Sequence, residues 1–193
     1  MIKKYYYNLQ FKTLLYPILI VILFHLFLFL KKKFTFCILQ YFSLNIDFDT
    51  STLRPWTYFT YSFIHNDWLH LILNSIFLLV LFYFYLKIFT TQETFKMYFL
   101  GVFIGGISFQ IFAGTGTDSV LIGSSAGVYC LMTITLFFKK NTLPIALKIL
   151  FSIFIIKTIL LFYYYEASVE VSHLGGIITG FMISLFNYIK QNL

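Results

Sequence analysis

A few residues of this chain carry the chemistry that a lipid environment would otherwise exclude. Ionisable and strongly polar groups inside apolar spans cost a few kcal/mol each, so those that remain are functional candidates. Here they are His65, His70 and Asn74 in one apolar run, Ser124 and Ser125 in another, and His173 in a third. Gly123-Ser124-Ser125-Ala126-Gly127 puts a serine where a glycine-bearing loop turns into a helix. Such a start offers an exposed hydroxyl and free backbone N–H groups at a positive dipole end, suited to holding an oxyanion. A serine needs a base to act as a nucleophile, and His173 is the histidine available for that role on the last apolar run. A Ser–His dyad is the economical expectation.

The neighbours fit the same chemistry. His70 and Asn74 are four apart, on one helical face, and both can donate toward a common point. One such preorganised donor is worth about 3 kcal/mol of transition-state stabilisation. Tyr129 follows Ser125 by four and could support the imidazole of His173 from one turn deeper. Gly176 and Gly180, three and seven after His173, leave a smooth stripe on which two backbones can approach closely. His65 is five before His70, off its face, and is expected to have a structural hydrogen-bonding role. Glu166 and Glu170 are read as solvated loop charges ahead of the last helix, with no part in the dyad. Asp118, the nearest acid in sequence, sits in a loop and is not promoted to a triad.

The elements that must position these groups are membrane helices. Of 193 residues, 60% are hydrophobic and only 11% charged, too little polar surface to clothe a soluble globule of this size. Six apolar segments lie at about 14–30, 66–86, 95–113, 124–138, 144–163 and 171–189, each near the ~20 residues a bilayer-crossing helix needs. No second domain, repeat or low-complexity tail is apparent, so residues 1–193 are expected to form one all-α bundle of six transmembrane helices. The first run follows Lys3, Lys4 and Lys12 but lacks a small-residue cleavage site, and is expected to be retained.

The net charge of +7 comes from short clusters flanking apolar runs, such as Lys31-Lys32-Lys33 and Lys139-Lys140, a membrane-anchoring pattern rather than a nucleic-acid one. With the N-terminus inside, nine basic residues fall on the inner side and four on the outer. This predicts a multi-pass protein of the cell (inner) membrane with a cytoplasmic N-terminus. The second, fourth and sixth helices then begin on the same, outer side, and residues a hundred positions apart converge at one depth. The connection 31–65, with Asp47, Asp49, Arg54, Pro55 and Trp56, suits a structured interfacial loop. The connection 113–123, with Gly114, Gly116 and Asp118, must form turns. Cys37 and Cys130 are too few and too far apart for a metal site, and three histidines without a carboxylate or thiol at ligand spacing do not make one. No cofactor or metal is expected.

Taken together these residues resemble the rhomboid family of intramembrane serine proteases, over about residues 56–180. The pattern His-x4-His-x3-Asn stands as His65, His70 and Asn74, the nucleophile motif as 123–129, and the base motif as His173-Leu174-Gly175-Gly176 followed by Gly180. The resemblance implies a six-helix bundle with a water-filled cavity, in which Ser125 attacks the scissile carbonyl and His173 takes and returns the proton. It further implies that His70, Asn74 and the Ser125 backbone N–H stabilise the oxyanion while Tyr129 stacks under the base. Substrates would be transmembrane proteins in the bilayer. Two positions depart from the family pattern: Ala126 replaces its common glycine, and Trp56-Thr57 stands for its Trp-Arg pair, removing a structural cation from the first loop. The competing classes are a non-catalytic rhomboid-like protein that binds membrane helices, and a small channel or transporter. The first ordinarily lacks the serine or the histidine, and the second would carry paired intramembrane charges, whereas Lys157 alone lies deep in a span and could snorkel.

Overall fold

The computed structural model describes residues 2–45, 54–112, 120–137, 144–165 and 168–192. Asp47, Asp49, Gly114, Gly116, Asp118, Lys139, Lys140 and Glu166 lie outside the described residues, as do the side chains of Lys3, Lys4 and Lys12. In chain order the elements are α1 (Ile2–Lys33), α2 (Thr35–Phe42), β1 (Leu44–Asn45), α3 (Thr57–Thr60), a 3-10 turn (Tyr61–Phe63), α4 (Trp68–Tyr85), α5 (Thr91–Phe112), β2 (Val120–Leu121), α6 (Ser125–Phe137), α7 (Ile145–Tyr165) and α8 (Ser168–Asn192).

The helix starts follow from local chemistry. Asp67 caps α4, its carboxylate accepting the His70 N–H at 2.9 Å, and that bond holds the Asp67 carboxyl below the usual carboxylate range. Thr90 and Glu93 form a reciprocal box at the start of α5: the Thr90 N–H donates to Glu93 Oε2 at 2.8 Å and the Glu93 N–H to Thr90 Oγ1 at 3.3 Å. Pro144 immediately precedes α7, where its missing N–H costs no helical bond.

This is an all-α membrane bundle. Among the described residues, four helices are long and apolar enough to cross a bilayer: Trp68–Tyr85, Thr91–Phe112, Ile145–Tyr163 and Val169–Lys190. Of the expected fourth span, the described part is α6, with 13 residues. It is the most enclosed, every residue from Ala126 to Thr135 being buried. At the other extreme, α7 turns Ile145, Ile149, Ile153, Ile156 and Leu160 outward, a surface that suits lipid and not water.

Glycines bring α5, α6 and α8 together. A Cβ on Gly101 would sit 2.4 Å from the Cys130 Cβ, one on Gly176 2.2 Å from the Ala126 carbonyl oxygen, and one on Gly180 2.4 Å from the Cys130 carbonyl oxygen. Close backbone approach of this kind is how helices gain contact where no hydrophobic force separates protein from lipid. On the other flank, Tyr85 donates to the Leu131 carbonyl at 2.6 Å and so ties α4 to α6.

The described parts of the first loop, residues 34–45 and 54–64, are held together by side-chain contacts. Trp56 Nε1 donates to the Tyr41 carbonyl at 2.8 Å. The Arg54 guanidinium donates to the Gln40 carbonyl and lies 4.7 Å from the Tyr41 ring centroid. A cation two residues before Trp56 thus contacts this loop, where Thr57 supplies none. Strand β1 pairs antiparallel with β2, Leu44 opposite Leu121 and Asn45 opposite Val120, which fastens this loop to the segment leading into Ser125.

Candidate active site

The site forms where α4, α6 and α8 begin. β2 ends at Leu121 and the chain reaches α6 through Gly123, whose φ of +110° lies in the left-handed region that favours glycine. The Gly123 N–H donates to the Tyr61 carbonyl at 3.0 Å. Ser125 opens α6, so its N–H belongs to a first turn whose amides have no intrahelical acceptor.

Ser125 Oγ lies 2.7 Å from His173 Nε2. The Tyr129 ring stacks on the imidazole, centroids 4.6 Å apart and planes at 29°. Its hydroxyl is 2.9 Å from that of Thr158 on α7, so the plate under the ring is itself held from a third helix. Gly176 and Gly180 set the separation of α8 from α6. Ala126 is accommodated because residue 105 is glycine: a Cβ there would fall 2.5 Å from the Ala126 methyl.

His70 reaches the site through Gly123, where an added Cβ would meet the imidazole Cε1 and Nε2 at 2.7 and 2.8 Å. Asn74, one turn further along α4, is 6% exposed, and its Nδ2 has no hydrogen-bond partner among the described residues. A buried donor without an acceptor is costly unless something else is meant to fill the position.

His65 is fully buried, its Nε2 is 3.4 Å from Ser124 Oγ, and its ring meets Phe24 of α1 at 4.9 Å and His70 at 5.0 Å. It joins the first helix to the serine loop. Burial, with His70 adding to it, pushes its pKa from 6.5 down to about 3. The folded state thus excludes a proton that the unfolded chain accepts, so stability present above about pH 6.5 is lost as pH falls toward 3. Between pH 7 and pH 4 this group alone should remove about 3 kcal/mol. Unfolding midpoints in detergent at the two pH values should differ accordingly for the natural chain, and much less for His65→Asn.

One expectation is corrected. Glu170 is not a solvated loop charge: α8 begins at Ser168 and carries Glu170 in its first turn, where the helix dipole favours an acid. Its Oε2 lies 2.7 Å from His173 Nδ1. Its i, i+3 spacing from His173 was visible in the sequence and becomes informative only once the helix is known to start before it. Thr158 is the other site-forming residue that sequence reasoning missed, since nothing local marks a threonine in an apolar run as a buttress for a tyrosine of another helix.

The family model described as Rhomboid domain matches residues 52–189. No curated protein matches the chain.

Proposed function

We propose, from the premise that this chain belongs to the rhomboid family, whose members are usually intramembrane serine proteases, that it is an intramembrane serine endopeptidase. The observation that carries this reading is the 2.7 Å contact between Ser125 Oγ and His173 Nε2. In the first step Oγ bonds to the scissile carbonyl carbon as its proton passes to Nε2. The tetrahedral oxyanion takes hydrogen bonds from His70, from the otherwise unpaired amide of Asn74 and from the Ser125 N–H. The C–N bond then breaks, the amine leaves with the proton from His173, and an acyl-enzyme remains. Water attacks that ester with His173 again as base, releasing the carboxylic acid and restoring the serine.

The substrate class follows from the medium. The family acts on membrane proteins within the bilayer, and a carbonyl in an intact helix is already hydrogen-bonded, so the substrate must unwind locally before it can be attacked. Small or helix-breaking residues near the outer face are the expected cleavage context. Loop charges support a cytoplasmic N-terminus in the cell membrane, with the site below the outer surface. Tyr129 supports the base from beneath, and Gly176 and Gly180 let it approach.

A fluorophosphonate probe tests the reading without a known substrate. Attack by Ser125 forms an O–P bond, fluoride leaves, and His173 takes the hydroxyl proton. Labelling of the natural chain, and of neither Ser125→Ala nor His173→Ala, is the expected outcome. A natural chain that stays unlabelled at high probe concentration would favour the alternative, a rhomboid-like protein that holds membrane helices without cutting them.

A further inference from the structure

A third ionisable group adjoins the Ser125–His173 pair. Glu170 and His173 are three apart on α8 and project from one face. Their side chains are only 14% and 13% exposed, and carboxylate and imidazole meet at 2.7 Å. Thr158, whose hydroxyl donates to Tyr129 at 2.9 Å, and the Lys157 ammonium both lie within electrostatic reach of the carboxylate.

Donor and acceptor bookkeeping gives the contact a direction. An ionised carboxylate can only accept, so in the neutral ring the proton must sit on Nδ1, which leaves the Nε2 lone pair facing Ser125 Oγ. The opposite tautomer would set a lone pair against the carboxylate and an N–H against the serine, and could not take the serine proton.

We propose that Glu170 is a positioning residue for His173: it selects the Nδ1–H tautomer and steadies the imidazolium that forms when Nε2 takes the Ser125 proton. No proton passes to Glu170; its charge remains through the cycle. The inference rests on the protease reading above and extends a two-residue mechanism by one acid. The same carboxylate orients the ring while it is neutral and offsets its charge once it is protonated, in a largely desolvated setting that strengthens both effects.

The test uses the full chain in detergent micelles, with Glu170→Ala, Glu170→Gln and Glu170→Asp. Two quantities are measured: the rate of fluorophosphonate labelling at Ser125, and the 15N and downfield proton spectrum of histidine-labelled protein, with His173 assigned from His173→Ala. The natural chain should show a protected Nδ1–H on His173. Glu170→Ala should lose that signal and label at least about tenfold more slowly, while Glu170→Asp should recover part of both. Glu170→Gln, of nearly the same shape, should also be slowed, and it keeps the test decisive if the alanine variant folds poorly. Labelling at the natural rate with an unchanged tautomer in Glu170→Gln and Glu170→Ala overturns the inference. An unlabelled natural chain whose Nδ1–H signal still vanishes in Glu170→Ala overturns the protease reading and the catalytic use of Glu170, with its tautomer assignment upheld.

Discussion

Cleavage of a single-pass membrane reporter by Ser125→Ala is expected to fall at least about four orders of magnitude below that of the natural chain, with His173→Ala falling about as far. The double variant should fall no further. On the proposed mechanism the two groups exchange one proton across 2.7 Å and act as a unit, so removing either removes the attack, and the second removal has nothing left to take. Ser125 is small and stands at the edge of the α6 core, so Ser125→Ala should remain folded, whereas His173→Ala gives up contacts with Tyr129 and Glu170 and should lose some stability. Purified protein in proteoliposomes with a fluorescent reporter gives both rates, and thermal unfolding in detergent checks the fold. Additive losses would mean that the two side chains work in separate steps, and cleavage that survives Ser125→Ala would remove the mechanism.

Gly176→Ala is expected to lower cleavage about a hundredfold without touching a reacting atom. Its new methyl would fall 2.2 Å from the Ala126 carbonyl oxygen and 3.0 Å from the carbonyl carbon. Those are backbone atoms of a buried helix and cannot swing aside, so α8 must move away by about 1 Å. A displacement of that size at a reacting pair costs on the order of 10²-fold. Overpacking should also cost about 1–3 kcal/mol of stability. Ile178→Ala is the contrast: on the same helix but 60% exposed, it faces outward and should leave the rate within about twofold, surface changes being nearly neutral. Equal rates for Gly176→Ala and the natural chain would show that the α6–α8 spacing does not set the serine–imidazole distance.

What could be read in the sequence was what periodicity and crossing parity dictate. Ser125 and His173 are 48 residues apart, yet two helices that begin on the same side must bring their first turns to one depth. Tyr129 and Gly176 then follow from spacings of four and three. The expectation for His65 assumed that it shares a helix with His70, whereas it stands ahead of α4, which begins at Trp68, and its buried ring meets Phe24 and His70. Less legible were the features set by where helices start and by partners remote in sequence. Glu170 depends on α8 starting at Ser168, ahead of the apolar run by which the sequence marks that helix. The Leu44–Leu121 pairing joins two-residue strands, too short for any alternation to register. The apolar window around 124–138 reports hydrophobicity and not whether lipid or protein surrounds it. In the fold that hydrophobicity serves enclosure, residues Ala126 to Thr135 of α6 being buried among other helices.

The pairing of Leu44 with Leu121 has a further consequence. It couples the first loop mechanically to the segment that runs into Ser125, so a substitution that loosens the loop should reach the nucleophile through that pairing. Changes there should slow labelling of the serine as well as lower the unfolding midpoint.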